Sequence, residues 1–260
     1  MKINILTENI AGGKFQAEHG LSYLIEIDGE MILFDTGHTD VFLKNAAVLG
    51  FDIQRDVETV VLSHGHWDHG DGLQFLHDKK LITHPSAFEN RYRKTDNSPI
   101  GLWMDKTEIR QKFQLIESKS PVQLTKNLWY LGEIPRMNDF ESQTTTFSLG
   151  SGEEDFIADD SALVATVGNK LTIISGCAHS GICNICDYAR KVTGINQIQT
   201  VIGGFHLKDQ DQQTRKTLDY FRKNKIETLL PSHCTAFPAK VLFNESFDFP
   251  EVKSGMCFEF

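Results

Sequence analysis

The chain predicts an α/β fold made of two strand-and-helix layers packed face to face. Three observations carry that expectation. Short apolar runs of strand length are followed by stretches of helix length, and this order occurs twice along the chain. Histidine-rich polar clusters fall directly after the apolar runs, where α/β sheets place their chemistry. No break in composition divides the 260 residues, a length that one α/β domain commonly reaches, so a single domain over 1–260 is expected.

In chain order, strands are expected around 2–7, 20–27 and 30–35. Met1-Lys2-Ile3-Asn4-Ile5-Leu6 alternates like a first strand, and Asp28-Gly29 marks a tight hairpin turn between the next two. Asp35-Thr36-Gly37-His38 turns into a helix over 40–50, with His38 expected to face solvent. Val57 to Leu62 reads as a buried strand, followed by a helix to His77 and a short strand at Leu81-Ile82-Thr83. Residues 85–145 are the least regular part, with basic Arg91-Tyr92-Arg93-Lys94, the loop Asn97-Ser98-Pro99 and apolar Trp103-Met104. They are expected as an insertion near the active-site edge, forming a lid or substrate wall; a solvated face is the other reading of the basic cluster. Strands at 161–167 and 170–174 flank Gly168-Asn169, and a helix at 181–191 follows. A strand at 199–202, a helix at 214–223, a buried strand at 228–230 and a closing helix at 236–243 complete the pattern.

The chemistry concentrates in Ser63-His64-Gly65-His66-Trp67-Asp68-His69. His64 and His66, two apart in extended chain, point to one side and can share a metal. Asp68 and His69 begin the next helix and can face a second. Imidazoles with one carboxylate suit zinc first, with manganese or iron as alternatives, so one or two divalent ions are expected. A site of that kind needs further donors at other strand ends. Gly176-Cys177-Ala178-His179-Ser180-Gly181, Gly203-Gly204-Phe205-His206-Leu207 and Pro231-Ser232-His233-Cys234-Thr235 supply candidates.

Composition narrows the partners. The formal net charge of −9 weighs against nucleic acid, which usually requires a basic face, and leaves a small anionic substrate held through metal charge. Hydrophobic residues at 40% and charged residues at 23% are ordinary for a globule, and no apolar run approaches the roughly 18 residues of a membrane span. The N-terminus lacks a signal-peptide core, which predicts a cytoplasmic protein. Five cysteines, all in the C-terminal third, do not form a disulfide framework, and Cys183 and Cys186 read as one face of a helix.

The His64–His69 segment resembles the H-x-H-x-D-H signature of the metallo-β-lactamase superfamily. That resemblance implies an αββα sandwich of two mixed β-sheets flanked by helices, with metals at its edge. Glu18-His19-Gly20-Leu21-Ser22, Ile32-Leu33-Phe34-Asp35-Thr36-Gly37, Gly132-Glu133-Ile134-Pro135-Arg136, Phe140-Glu141 and the three later clusters look like its dihydropteroate-synthase-like branch. The branch is described as metal-dependent hydrolases, and includes a methanopterin-synthesis enzyme.

The resemblance implies His64 and His66 as ligands of a first metal and Asp68, His69 and His233 as ligands of a second. Many relatives carry a histidine ahead of a bridging aspartate, whereas this chain has Ile157-Ala158-Asp159-Asp160-Ser161. His179 is assigned to replace that imidazole. Cys177 falls at the bridging position, where it either ligates through sulfur or packs beneath the site. Asp35 is implied to sit behind the ligands and orient one of them, with a helix cap as its rival role. His206 falls where tRNase Z-like relatives keep a proton-donating histidine. Asp68 doubles as the residue that holds the attacking water. His19 and Arg136 are implied substrate contacts, with a structural ion pair as the other reading of Arg136.

These assignments imply a metal-dependent hydrolase acting on a small phosphorylated or ester-type substrate. A pterin-diphosphate-using transferase of the methanopterin-synthase type is the alternative. A flavodiiron-like redox protein fits less well, because those proteins carry a glutamate where this chain has His66 and need a flavodoxin domain. A non-catalytic metal-dependent ligand-binding module is disfavoured by the intact motifs. Oligomeric state is not legible.

Overall fold

The computed structural model describes residues 1–260. Fifteen strands and seven α-helices follow in order: β1 (Lys2–Thr7), β2 (Ser22–Ile27), β3 (Glu30–Phe34), α1 (Val41–Leu49), α2 (Ile53–Asp56), β4 (Thr59–Val61), α3 (Trp67–Gly70), β5 (Lys79–Thr83), β6 (Arg91–Arg93), α4 (Lys106–Lys112), β7 (Phe113–Glu117), β8 (Val122–Thr125), β9 (Leu128–Tyr130), β10 (Phe147–Leu149), β11 (Ala162–Val167), β12 (Lys170–Ser175), α5 (Ile182–Thr193), β13 (Ile198–Gly204), α6 (Gln212–Lys223), β14 (Thr228–Ser232), α7 (Phe237–Asn244) and β15 (Cys257–Glu259). The chain forms two compact units. The first comprises Met1–Lys119, Thr145–Asp159 and Lys253–Phe260, and the second Ser120–Thr144 and Asp160–Val252. No helix is long and apolar enough to cross a membrane.

The first unit holds a seven-stranded mixed sheet ordered β15-β1-β2-β3-β4-β5-β7. The β15, β1, β2 and β3 strands are antiparallel, with Asp28-Gly29 turning the β2–β3 hairpin; from β3 onward, β4, β5 and β7 are parallel. Parallel neighbours need a crossover, and α1 provides it between β3 and β4. Phe42 and Ala46 of α1 are buried in one cluster with Leu24, Leu33, Val60 and Leu81. Fully burying a side chain of this size contributes about 1.5–3 kcal/mol, so the crossover helix is fixed by its apolar stripe. The parallel pairing sets Phe34 opposite Val61. The residues after β3 and after β4 therefore leave the sheet side by side.

The second unit holds a six-stranded mixed sheet ordered β14-β13-β12-β11-β9-β8. Its three parallel strands, β12, β13 and β14, are joined through α5 and α6. Ile182, Ile185, Cys186 and Ala189 recur at helical spacing on α5 and are buried with Leu218 and Phe221 of α6 and Leu242 and Phe243 of α7. Cys183 also lies in this core, and burial pushes both its thiol and that of Cys186 above the ordinary range. Ser175 pairs with Gly203, and Gly204 with Ser232, so three successive loops emerge at one edge.

Several expected elements need correction. The helix expected to reach His77 ends at Gly70 and continues as a 3-10 turn over Asp71–Phe75, because Gly70 leaves helical geometry at φ −126°. The stretch read as the least regular carries β7 of the first sheet and β8 and β9 of the second; β8 and β9 are only four and three residues long, and polar Gln114 and Gln123 interrupt the apolar residues of β7 and β8. The last element is β15, which pairs with β1, and not the helix α7. His38 remains partly exposed, but its ring packs on Trp67 and Trp103, at 4.6 Å and 4.8 Å between centroids. Arg91, grouped by sequence with a basic cluster, is buried against Asp155 and Asp159. Arg93 and Lys94 of the same cluster remain at least partly exposed and pair with acidic groups.

Candidate metal centre

In the first unit the donors gather where β3 and β4 end. Asp35 follows β3 with a left-handed backbone, φ 57°, which aspartate tolerates better than most residues. Its backbone N–H donates to Val61 O at 2.9 Å, tying the turn to the neighbouring strand. Asp35 is fully buried, and its carboxylate organises the loop. Ser63 N donates to Oδ1 at 2.7 Å and Ser63 Oγ to Oδ2 at 2.7 Å, while His69 Nδ1 stands 2.6 Å from Oδ2. The N-cap position of helix α1 is Asp40, whose side chain makes no capping hydrogen bond, so Asp35 does not cap it.

This network decides which ring nitrogens bear protons. His69 Nδ1 faces a carboxylate and must carry the proton, which leaves Nε2 as the lone-pair nitrogen. The single proton of Ser63 Oγ goes to Asp35, so the oxygen accepts from His64 Nδ1 at 2.9 Å, and His64 Nε2 is again the lone-pair nitrogen. His64 Nε2 stands 3.0 Å from His66 Nδ1. Two nitrogens on one tetrahedral zinc are about 3.3 Å apart, given bonds of about 2.0 Å. The observed pair needs only a few tenths of an ångström to fit a shared ion. Asp68 Oδ2 lies 3.9 Å from His69 Nε2 and 3.2 Å from His19 Nε2. His19 itself is exposed and tilts against Trp67.

The backbone of the loop is held independently of those side chains. Gly65 N donates to Asp159 Oδ2 at 2.7 Å, and a Cβ on Gly65 would come within 1.7 Å of Ala87 O, so only glycine fits there. Leu21 N donates to Asp68 O and Thr36 N to His69 O, at 3.1 Å and 2.7 Å. Asp71, just beyond, receives Trp103 N at 2.9 Å and faces His38 Nδ1 at 3.4 Å. Burial pushes its carboxyl up to about 6, against the pull of those two partners.

The Asp35 carboxylate is expected to matter chiefly to metal affinity. In Asp35→Asn an amide nitrogen replaces one oxygen, so either Ser63 N–H or the Ser63 and His69 donors lose their acceptor. The expected result is a loss of about 10–100-fold in affinity, read by competition with a chromogenic chelator. Wild-type affinity in this variant would refute the orienting role.

In the second unit the donors follow three parallel strands. Cys177 and His179 follow β12, His206 follows β13, and His233 and Cys234 follow β14. Ala178, His206 and His233 all adopt left-handed backbone, at φ 57°, 49° and 48°. Such conformations are strained and persist where the surroundings over-determine them, commonly at functional sites. The His179 and His206 rings lie 4.2 Å apart between centroids. Donor atoms of Cys177, His206 and Cys234 all lie within 4.8 Å of one another. Cys234 Sγ donates to Cys177 O at 3.5 Å. Burial alone would raise the Cys234 thiol, yet its hydrogen bonds to Cys177 and His206 and the nearby His233 hold it well below the usual range.

Other predicted residues take defined places. Arg136 Nε donates to Ser142 Oγ at 2.9 Å, and Arg136 attracts the buried Asp160 carboxylate. Asp160 Oδ2 accepts from Ser180 N at 2.9 Å and from Ser180 Oγ, which ties the start of β11 to the loop that carries His179. Asp159, Asp160 and Cys234 were not singled out from sequence as functional residues. The adjacent acid pair before an apolar strand and the cysteine beside His233 were the available signals.

The comparisons with known proteins place the chain in a family. The sequence model of the metallo-beta-lactamase superfamily matches residues 16–190. An uncharacterised protein of Methanocaldococcus jannaschii is 35% identical over 245 residues, covering 91% of each chain. The 7,8-dihydropterin-6-methyl-4-(beta-D-ribofuranosyl)-aminobenzene-5'-phosphate synthase of the same organism is 30% identical, covering 100% of this chain and 97% of that one. The crystal structure of Tm1679, a metal-dependent hydrolase of the beta-lactamase superfamily, superposes with a TM-score of 0.89 at 31% identity, covering 100% and 99% of the two chains. With the family model matched over most of its length, the chain belongs to the metallo-beta-lactamase superfamily.

Proposed function

We propose that this chain, a metallo-hydrolase of the metallo-beta-lactamase superfamily, acts on a small anionic substrate carrying a phosphoryl or ester group. The observation that carries this reading is the convergence of His64 Nε2 and His66 Nδ1 at 3.0 Å, with His64 held by Ser63 and His69 by Asp35. His64, His66, Asp68 and His69, with His179 and His233, are the assigned ligands of one or two divalent ions, zinc first and manganese or iron otherwise; Cys177 is a further candidate. Such ions, when bound, bring water to a pKa near 7 and offset negative charge that develops on the substrate.

The remaining roles fall to the chain's own groups. Asp68 holds the attacking water and accepts its hydrogen bond. A ring N–H of His206 gives its proton to the leaving oxygen, for which an imidazole is suited near neutral pH. Arg136 and exposed His19 contact the anionic part of the substrate. The full-length similarity to the M. jannaschii pterin enzyme supports a second reading, in which the same residues assist departure of diphosphate from a pterin during transfer. It also supports placing the chain in the dihydropteroate-synthase-like branch.

Removing metal tests the first reading. Dialysis against a strong chelator is expected to abolish hydrolysis, and zinc, manganese or ferrous iron to restore it. The assay screens phosphodiesters, phosphomonoesters, thioesters, lactones and pterin diphosphates with and without an aminobenzene acceptor. Full turnover in verified metal-free protein would sink the proposal, while product formation only with the acceptor present would favour the transferase.

A further inference from the structure

We propose that Cys177, His206 and Cys234 together form a chelating site for a thiophilic d10 metal ion such as zinc or cadmium. The three donors lie within 4.8 Å of one another, and the two cysteines are buried, with His206 partly so. Two thiolates on a tetrahedral zinc are about 3.8 Å apart, given Zn–S bonds of about 2.3 Å. Small side-chain adjustments would therefore bring this triangle to bonding distance.

The site is built by the sheet. Its donors follow β12, β13 and β14, three parallel neighbours whose ends are held in register by the Ser175–Gly203 and Gly204–Ser232 pairs. The Gly203-Gly204 pair makes room for it. A Cβ on Gly203 would meet Ser175 O at 2.0 Å, and one on Gly204 would meet Cys234 Sγ at 2.5 Å. The Cys234 thiol thus occupies space that any side chain at 204 would take. His206 itself adopts left-handed backbone, at φ 49°. Thr235 Oγ1 accepts from Phe205 N at 2.9 Å, and Lys208 Nζ donates to Cys234 O at 3.0 Å, so the β13 and β14 loops brace each other on both sides of the donors. Two sulfur donors select softer ions than the imidazoles and carboxylate of His64, His66, Asp68 and His69. The two sets therefore differ in the metals they prefer.

Filling this site has a consequence that depends on the hydrolase reading, although the site itself does not. A ring nitrogen of His206 bound to metal no longer donates a proton, so a thiophilic ion is expected to slow turnover. The direct test is spectroscopic. Purified wild-type protein under reducing conditions is titrated with cobalt(II) and, separately, cadmium(II), reading sulfur-to-metal charge-transfer absorption. Wild type should show the band. Cys234→Ser should lose about half of it, one of two thiolates being removed, and Cys177→Ser the same. Cys257→Ser, at an exposed thiol, should leave it intact, and His64→Ala should abolish hydrolysis while keeping it. A second readout on the unmutated protein is sulfur coordination by X-ray absorption of the cadmium form, with two sulfurs expected. No band in wild type, an unchanged band in Cys234→Ser, or fewer than two sulfurs would overturn the proposal. Loss of hydrolysis without metal combined with any of those results would leave the hydrolase reading standing alone.

Discussion

Asp68→Ala is expected to lower kcat/KM by about 10²–10⁴-fold, the range typical of losing a positioned acid–base group. The side chain is buried and sits between two imidazoles, 3.2 Å from His19 Nε2 and 3.9 Å from His69 Nε2. The backbone, by contrast, is anchored without it. Asp68 O accepts from Leu21 N, His69 O accepts from Thr36 N, and Trp67 N donates to Ile100 O. The truncated loop should therefore keep its shape, and thermal stability should change by less than about 1 kcal/mol. Asp68→Asn separates charge from bulk: it keeps the volume but removes the negative charge, and is expected to be nearly as inactive. The measurement is hydrolysis of a chromogenic phosphodiester or thioester, with metal content determined on the same samples. Activity within tenfold of wild type in both variants would remove Asp68 from the chemistry and with it the hydrolase reading built on it.

The local parts of this architecture were legible because their causes are local. The Asp28-Gly29 hairpin, α1 and the exit of His64 from the end of β4 each follow from a few consecutive residues: a turn dipeptide, an apolar stripe at helical spacing, an apolar run ending in polar donors. The α5 face carrying Cys183 and Cys186 was readable for the same reason. What sequence did not disclose depends on partners far along the chain. The N-terminus of α5 has no cap of its own; Glu141 supplies it, accepting from Cys183 N at 2.9 Å and Asn184 N at 3.0 Å. No local pattern announces a cap 42 residues away. His38 was expected at the surface because a turn histidine usually is; it stays partly exposed, but Trp103, from a stretch without clear periodicity, packs against its ring. Cys234 stood beside a histidine that already had a role. Only the register of β12, β13 and β14 shows that its sulfur, the His206 ring and Cys177 share one place.

Arg91 was the largest misjudgement from sequence, and it supports the second large expected effect. Its neighbours Arg93 and Lys94 remain at least partly exposed, whereas Arg91 has a side chain only 1% exposed and runs inward between two carboxylates. Nη2 stands 2.6 Å from Asp159 Oδ1 and donates to Ser86 O at 2.8 Å, and Nε stands 3.3 Å from Asp155 Oδ2. Burial disfavours the guanidinium charge, but Asp159 and Asp155 more than compensate and hold its pKa above the ordinary value. Asp159 then uses its other oxygen to receive Gly65 N at 2.7 Å. The cation thus fixes a carboxylate that fixes the loop between His64 and His66.

Arg91→Met keeps an apolar stem but removes the guanidinium, and with it the charge and the hydrogen bond to Ser86 O. Two carboxylates are left in the interior without their cation, a change that typically costs about 3–5 kcal/mol. For a chain of this size that corresponds to a fall in Tm of roughly 6–20 °C. The sign of the pH dependence follows from the same charges. Protonating the stranded carboxylates relieves their burial, so the deficit relative to wild type should narrow in mild acid and widen above neutrality. Arg91→Met combined with Asp159→Asn should recover part of the loss at neutral pH, because the amide oxygen can still receive Gly65 N while no net charge is buried at that position. Urea unfolding of metal-free protein at several pH values, for wild type, both single variants and the double, measures the coupling directly. Metal affinity of Arg91→Met should fall as well, since Gly65 loses its fixed acceptor. A variant with wild-type stability at all pH values would mean that the triad is a bystander and that the loop is held by Ala87 and its own backbone alone.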